Sequence, residues 1–169
     1  EISACLVGSE MCIRDRTEGE TQQAVALFRE YYEQRGKFEN AVYSGIPALL
    51  QGLREGGKRL VVATSKPEHM AVEILEHFEL AGFFSCIAGS TLDESRCTKA
   101  SVLAYALAQQ GRQGAVMVGD REHDVLGARE NGLPCIGVLF GYGSRQELEA
   151  AGADRIATTV QDLRYILEE

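Results

Sequence analysis

The sequence predicts an α/β fold in which helices cover both faces of a parallel β-sheet, a three-layer Rossmann-like arrangement. From about residue 60 onward, short apolar runs alternate with helical stretches, the pattern of β-α-β crossovers. Glycine is abundant, at 18 of 169 residues, and has no collagen-like period, which favours many tight turns. A chain of this length is expected to form one main domain with room for a small appendage.

Two helices are predicted before the first apolar run. Apolar side chains recur at helical spacing over residues 17–37, and a second helix begins near Pro47 and ends at Gly56-Gly57. Residues 1–16 show neither a helical nor a strand period, and the stretch 5–16 resembles translated sequencing-adapter sequence. We therefore leave residues 1–16 unassigned, as a segment foreign to the fold.

Five apolar runs are predicted to be strands, each followed by a helix. They cover residues 60–64, 86–88, 115–118, 135–140 and 155–158. Strands buried on both faces pair in parallel and are connected by right-handed crossovers. Ligands of such sheets bind at the carboxyl ends of the strands, so the residues directly after each run form the candidate site.

Composition excludes several functional classes. The net charge of −8 disfavours a nucleic-acid polymer or an anionic membrane as a partner. No apolar run approaches the ~18 residues needed to span a bilayer, and the first residues lack the pattern of a signal peptide. The five cysteines are odd in number and form no Cys-x-x-Cys pair, which favours reduced thiols and a cytoplasmic location.

Three polar residues after the first two runs have the chemistry of a phosphate site. Thr64 and Ser65 precede Pro67 at a helix start, where hydroxyls and free backbone N–H groups suit a phosphate. Lys99 opens another helix, whose positive end disfavours a cation, so this lysine needs a counter-charge or an anionic ligand. The plain structural alternatives are a helix cap at Thr64 or Ser65 and a solvated Lys99.

Two carboxylates follow the third run. Asp120 and Asp124 lie at a strand end that opens a helix, and such a pair can bind a hard cation such as Mg²⁺. The alternative is that Asp120 only caps the helix, and the spacing alone does not decide between them. The histidines form no metal-ligand spacing, and the sequence contains no phosphate loop, dinucleotide fingerprint or serine-nucleophile elbow.

Taken in order, these motifs resemble those of the haloacid dehalogenase superfamily of phosphatases. Residues 61–67 are similar to the family's second motif, and Lys99 stands where its third-motif lysine is expected. Residues 118–128 resemble its acidic fourth motif, Gly-Asp-x-x-x-Asp followed by a helix of small residues. Residues 131–132 and 141–144 are further similar to the phosphoglycolate phosphatase-like branch.

The resemblance implies a Mg²⁺-dependent phosphatase that hydrolyses a small phosphorylated metabolite, of the phosphoglycolate or nucleoside monophosphate type, through an aspartyl-phosphate. Thr64 and Ser65 would then bind phosphoryl oxygens, and Lys99 would neutralise the phosphate and the nucleophile. Asp120 would hold Mg²⁺, with Asp124 as a second ligand or a support.

The resemblance also divides the chain, with residues 17–44 as the remnant of a helical cap and 45–169 as the core. It fails at one point, because no Asp-x-Asp pair, the family's first motif, occurs in the sequence. The aspartates are Asp15, Asp93, Asp120, Asp124, Asp154 and Asp162. We therefore expect an amino-terminally truncated sequence that lacks the first strand and the nucleophile, and a chain that is inactive as given.

Two other functions remain open from the sequence. A noncatalytic module could keep Thr64, Lys99 and Asp120 only to hold a phosphorylated ligand. A sugar-phosphate mutase of the same fold would also need the missing aspartate, together with cap residues that this sequence does not contain.

Overall fold

A computed structural model of the chain describes residues 18–91, 93 and 95–169. The chain divides into two units, the first ending at Ala41 and the second spanning Val42–Glu169. The expectations for residues 1–16 lie outside the described residues. The assignment of residues 17–44 to a cap stays a prediction.

The first unit contains one long helix, α1, over Glu18–Gln34, followed by a short 3-10 helix over Gly36–Phe38. The apolar stripe of α1 is largely exposed to solvent, with Leu27 at 62% and Tyr31 at 49% exposure. The amphipathic pattern therefore predicts the helix correctly, but its apolar side chains form no buried core with the other described residues of this unit. The helix ends before residue 37 because Arg35 leaves the helical backbone region, with φ −136°.

The second unit alternates helices and strands as predicted. Its elements are α2 (Ile46–Glu55), β1 (Val61–Pro67), α3 (Glu68–His77), β2 (Cys86–Ser90), α4 (Lys99–Gln110), β3 (Met117–Gly119), α5 (Glu122–Glu130), β4 (Cys135–Val138), α6 (Arg145–Ala151), β5 (Arg155–Ala157) and α7 (Val160–Glu168). In the part of the chain that the structure describes, no helix has the length and apolar character needed to cross a membrane.

The strands form two parallel sheets, β1-β2 and β3-β4-β5, which confirms the predicted parallel pairing. Val61 pairs with Cys86 in the first sheet, and Met117 pairs with Cys135 in the second. Among the described strands, β1 and β3 each pair on one side only. No backbone ladder joins β1 to β3 among the described residues. The family resemblance places the first strand, which the sequence is expected to lack, between these two strands.

Helices pack on both faces of the larger sheet, which confirms the three-layer arrangement. On one face, Leu49 and Leu53 of α2 and Leu163 of α7 pack against β4 and β5. On the other face, a second cluster unites α4, α5 and α6 with β3 and β4, and Leu148 is its fully buried centre. Each fully buried leucine contributes about 1.5–3 kcal/mol, so these clusters fix the strands whose carboxyl ends form the candidate site.

Candidate functional site

The side chain of Lys99 joins β1, at Ala63, to the first turn of the helix that follows β3. Its Nζ donates a hydrogen bond to the carbonyl oxygen of Ala63 at 3.0 Å and lies 2.8 Å from Oδ1 of Asp124. Ala63 directly precedes Thr64, and Asp124 lies in the first turn of α5, which follows β3. The two charged side chains are only 15% and 8% exposed, so water screens their attraction less than it would at the surface.

Lys99 is the first residue of α4, and its position there is set by a cap. The amide of Ser101 donates to Oγ1 of Thr98, and the amide of Thr98 donates to Oγ of Ser101, which closes a reciprocal capping box. A cation at this positive helix end is electrostatically disfavoured. Asp124 supplies the counter-charge that Lys99 needs at this helix start.

Asp124 also holds the turn that carries Asp120. Its Oδ2 accepts hydrogen bonds from the amides of Asp120 at 3.0 Å and Arg121 at 3.2 Å, while Oδ1 faces Lys99. The carboxylate occupies the space of a side chain at Gly119, where a Cβ would lie 2.4 Å from Cγ of Asp124. Glycine is therefore required at position 119, and both carboxylate oxygens of Asp124 are already engaged.

Asp120 is enclosed by the loop between β4 and α6. Its Oδ2 accepts a hydrogen bond from the amide of Tyr142 at 2.8 Å. A Cβ would lie 2.4 Å from Cβ of Asp120 if placed at Gly141, and 1.8 Å from the backbone oxygen of Asp120 if placed at Gly143. The two glycines therefore let this loop pass directly over Asp120. Among the described residues, the Tyr142 amide is the only donor to this half-buried carboxylate.

The backbone after Ala63 departs from regular strand pairing. Ala63 pairs with Ala88, but the next pair is Pro67 with Ser90, so β1 bulges at residues 64–66. Strand β1 thus runs beyond the predicted end at residue 64, to Pro67. Oγ1 of Thr64 accepts a hydrogen bond from the amide of Lys66 at 3.2 Å. Thr64 is half-buried and Ser65 is exposed, and both follow the carbonyl that Lys99 contacts.

The donor chemistry of this edge fits a hard divalent cation at Asp120. Mg²⁺ prefers oxygen ligands and normally keeps several of its waters. One oxygen of Asp120 is free of protein donors among the described residues, whereas both oxygens of Asp124 are occupied. No cluster of three His, Cys, Asp or Glu side chains suited to a metal occurs in the described ranges, so these residues offer a partial metal site.

Two charge pairs near the site were not predicted from the sequence. Nε of Arg121 donates to Oε1 of Glu147 at 2.8 Å, and this hydrogen bond lowers the pKa of the Glu147 carboxyl and raises that of Arg121. Arg96 pairs with Glu68 at 2.9 Å and stacks on the ring of Tyr105. Ser144 and Glu147 have the spacing of a capping box, but the Glu147 carboxylate accepts from Arg121 and the Glu122 amide, so this spacing signals neither pair.

A family model described as haloacid dehalogenase-like hydrolase matches residues 7–138. Among solved structures, a protein described as a predicted phosphatase from Clostridium acetobutylicum is similar, with a TM-score of 0.84 and 45% identity. That similarity covers 96% of this chain and 76% of the other.

Three relatives from other bacteria extend the comparison. A 5'-nucleotidase from Pseudomonas aeruginosa is 41% identical over 153 residues, which is 89% of this chain and 69% of the relative. The tyrosine-protein kinase PtkA of Mycobacterium tuberculosis is 39% identical over 99% of this chain and 60% of its own length. A phosphoglycolate phosphatase from Caulobacter vibrioides is 33% identical over 85% of this chain and 62% of its own. The chain thus spans about 60 to 70% of the length of these three relatives.

Proposed function

The chain belongs to the haloacid dehalogenase-like hydrolases, and on that premise we propose that it carries the phosphate-binding and metal-binding residues of a phosphatase for small phosphate monoesters. The observation that carries the proposal is the position of Lys99. Its ammonium group connects the residue before Thr64 with the carboxylate that holds the Asp120 turn. The Lys99 ammonium group therefore lies where the three segments that carry the family's motifs meet.

In this proposal, residues 64–66 and Lys99 bind the phosphoryl group. The bulge after Ala63 breaks the regular ladder, so the backbone and hydroxyl groups of Thr64 and Ser65 are available to phosphoryl oxygens. Lys99 neutralises negative charge on the phosphate. Its ion pair with Asp124 fixes the ammonium position in advance, so little reorganisation is needed when a phosphate binds.

Asp120 is the proposed direct ligand of Mg²⁺, and Asp124 supports it. Asp124 holds the backbone amide of Asp120 while its own oxygens stay with Lys99 and the turn. The Tyr142 amide fixes one oxygen of Asp120 and so orients the other. Bound Mg²⁺ would supply charge neutralisation and a template for the phosphate.

The attacking aspartate of the family mechanism is not supplied by this sequence. No two aspartates stand two positions apart, and the described Asp120 and Asp124 are committed to the turn and its lysine. We propose that the chain binds phosphate and metal but does not turn over esters by itself. Removing the nucleophile of another hydrolase lowers turnover by about 10⁶-fold.

The proposed substrates are nucleoside monophosphates and phosphoglycolate, and the proposed location is the cytoplasm. The nucleotidase and the phosphoglycolate phosphatase among the relatives support these two substrate classes. The relative named as a tyrosine-protein kinase favours a phosphotransferase as the second candidate function. A noncatalytic phosphate-binding module and a sugar-phosphate mutase are further outcomes that the same experiment separates.

The test is phosphate release by a chain in which residues 1–16 are replaced by an apolar strand ending in Asp-x-Asp and a helical cap segment. We expect Mg²⁺-dependent release from a nucleoside monophosphate, phosphoglycolate or an aryl phosphate. Lys99→Ala and Asp120→Ala should each remove most of it, and Lys58→Ala, an exposed lysine before β1, should not.

The other outcomes contradict the phosphatase. A folded replacement chain that binds phosphate but hydrolyses nothing would indicate the noncatalytic module. Interconversion of sugar phosphates would indicate the mutase, and ATP-dependent labelling of a tyrosine peptide without hydrolysis would indicate the phosphotransferase.

A further inference from the structure

Glu147 connects two segments that meet around Asp120. Its Oε1 accepts hydrogen bonds from Nε of Arg121 at 2.8 Å and from the amide of Glu122 at 3.0 Å. Arg121 and Glu122 directly follow Asp120 in the chain. On the other side of Asp120, the Tyr142 amide donates to its carboxylate. The segment 120–122 is therefore held at two points by the segment 142–147.

The loop cannot shift independently of Asp120. Gly143 lies so close that a Cβ there would be 1.8 Å from the backbone oxygen of Asp120, and Gly141 lies against its side chain. At the far end of the loop, Ser144 caps α6 by accepting from the amide of Glu147 at 3.1 Å. A displacement of Glu147 is thus transmitted to Tyr142, and from Tyr142 to the carboxylate.

The side chain of Glu147 is 23% exposed and that of Arg121 is 31% exposed, so the pair is partly shielded. The same helix carries a second pair, Arg145 with Glu149, whose side chains are more than half exposed. The hydrogen bond of that pair joins two residues of α6 itself. Exposed pairs of this kind contribute about 0–1 kcal/mol, which makes Glu149 a matched control for Glu147.

We propose that Glu147 is a positioning residue, which holds the loop between β4 and α6 so that one oxygen of Asp120 stays bound to Tyr142 and the other stays directed to the metal. The inference rests on the proposed role of Asp120 as a metal ligand. Groups that orient a metal ligand through hydrogen bonds typically change metal affinity by about 10–100-fold when they are removed.

The experiment is a Mg²⁺ titration of the ¹⁵N-labelled 169-residue chain, with amide resonances as the readout. Glu147→Ala should raise the dissociation constant of Mg²⁺ about 10-fold, and Glu149→Ala should leave it unchanged. Glu147→Gln keeps an acceptor oxygen for Arg121 and the Glu122 amide, so it should recover most of the affinity. This rescue separates positioning from a general loss of stability.

The Tyr142 amide proton gives a second readout that needs no metal. Its charge-assisted bond to Asp120 should shift the resonance downfield in the wild type. The shift should be smaller in Glu147→Ala and unchanged in Glu149→Ala. If Glu147→Ala leaves the resonance in place, the positioning role is wrong. Where the alanine variant does not fold, Arg121→Ala removes the other partner of the same pair and gives the same test. If the wild type shows no saturable Mg²⁺ binding while Tyr142 responds as expected, the metal assignment of Asp120 fails and the positioning of its carboxylate stands.

Discussion

Replacing Asp124 with alanine tests the ion pair on which the site is built. The variant leaves the Lys99 ammonium with the Ala63 carbonyl as its remaining partner, and it leaves the amides of Asp120 and Arg121 without their acceptor. Asp162 offers a matched control, because it has the same position in the first turn of α7. It accepts from the amides of residues 158 and 159 at 3.1 and 3.0 Å, and in the described residues it forms no ion pair.

The two substitutions differ by the cost of an unpaired, largely buried ammonium. Removing one partner of a buried ion pair costs about 3–5 kcal/mol. Because Lys99 keeps 15% exposure and one carbonyl, we take the lower end, about 3 kcal/mol. The loss of the Asp162 cap costs about 1 kcal/mol. Asp124→Ala loses both the ion pair and a cap, about 4 kcal/mol together. At about 2–4 °C per kcal/mol for a chain of this size, it should lower the Tm by about 8–16 °C and Asp162→Ala by about 2–4 °C.

Thermal unfolding followed by circular dichroism, at low and high salt, measures both values. Equal losses in the two variants would show that Asp124 acts only as a helix cap, and the reasoning about Lys99 would be refuted. Lys99→Met combined with Asp124→Ala should be less destabilising than the sum of the single changes, since the double variant leaves no unpaired ammonium.

Three further predictions follow from single contacts. Gly143→Ala should lower the free energy of unfolding by about 1–3 kcal/mol, measured by urea unfolding, because its Cβ would overlap the backbone of Asp120. Gly82→Ala is the control and should be nearly neutral, since a Cβ at residue 82 would lie in open space. Iodoacetamide should modify exposed Cys97 well before Cys135, whose thiol pKa is raised by burial to about 12, and peptide mass spectrometry at pH 8 checks the order. The pKa of Glu147 is lowered in the folded state, chiefly by Arg121, so its contribution is present above the ordinary glutamate pKa and is lost as the pH falls through the lowered one. Glu147→Gln should therefore be less stable than wild type at pH 7 and equally stable at strongly acidic pH. A difference in stability between the two proteins that is the same at both pH values would contradict this.

The alternation of strands and helices could be predicted from the sequence because burial on both faces leaves a clear apolar pattern. The helix starts were also predictable where a cap is local, as at Thr98 before Lys99. The gap between β1 and β3 was expected from the family resemblance, which places the missing first strand there; the apolar runs alone indicate strands but not their partners. The solvent exposure of the apolar side chains of α1 could not be predicted either. The periodicity of the sequence indicates an apolar helix face but not whether another segment covers it.

At the site, the sequence indicates which residues are charged but not which of them pair with one another. The need of Lys99 for a counter-charge follows from its place at a helix start, whereas the choice of Asp124 over Asp120 depends on tertiary structure. The close approach of residues 141–143 to Asp120 involves the hydrogen bond from the Tyr142 amide, which is 22 residues away in sequence. Such long-range contacts leave no local period, so Glu147 was not identified from the sequence.

If residues 64–66 and the segment after β3 form one phosphate site around Lys99, a titration with inorganic phosphate should detect it. Amide resonances of the ¹⁵N-labelled 169-residue chain would be followed with and without Mg²⁺. We predict saturable shifts at residues 64–66 and 120–121 that are lost in Lys99→Ala and kept in Lys58→Ala. Shifts confined to other surfaces, or identical shifts in Lys99→Ala, would contradict it.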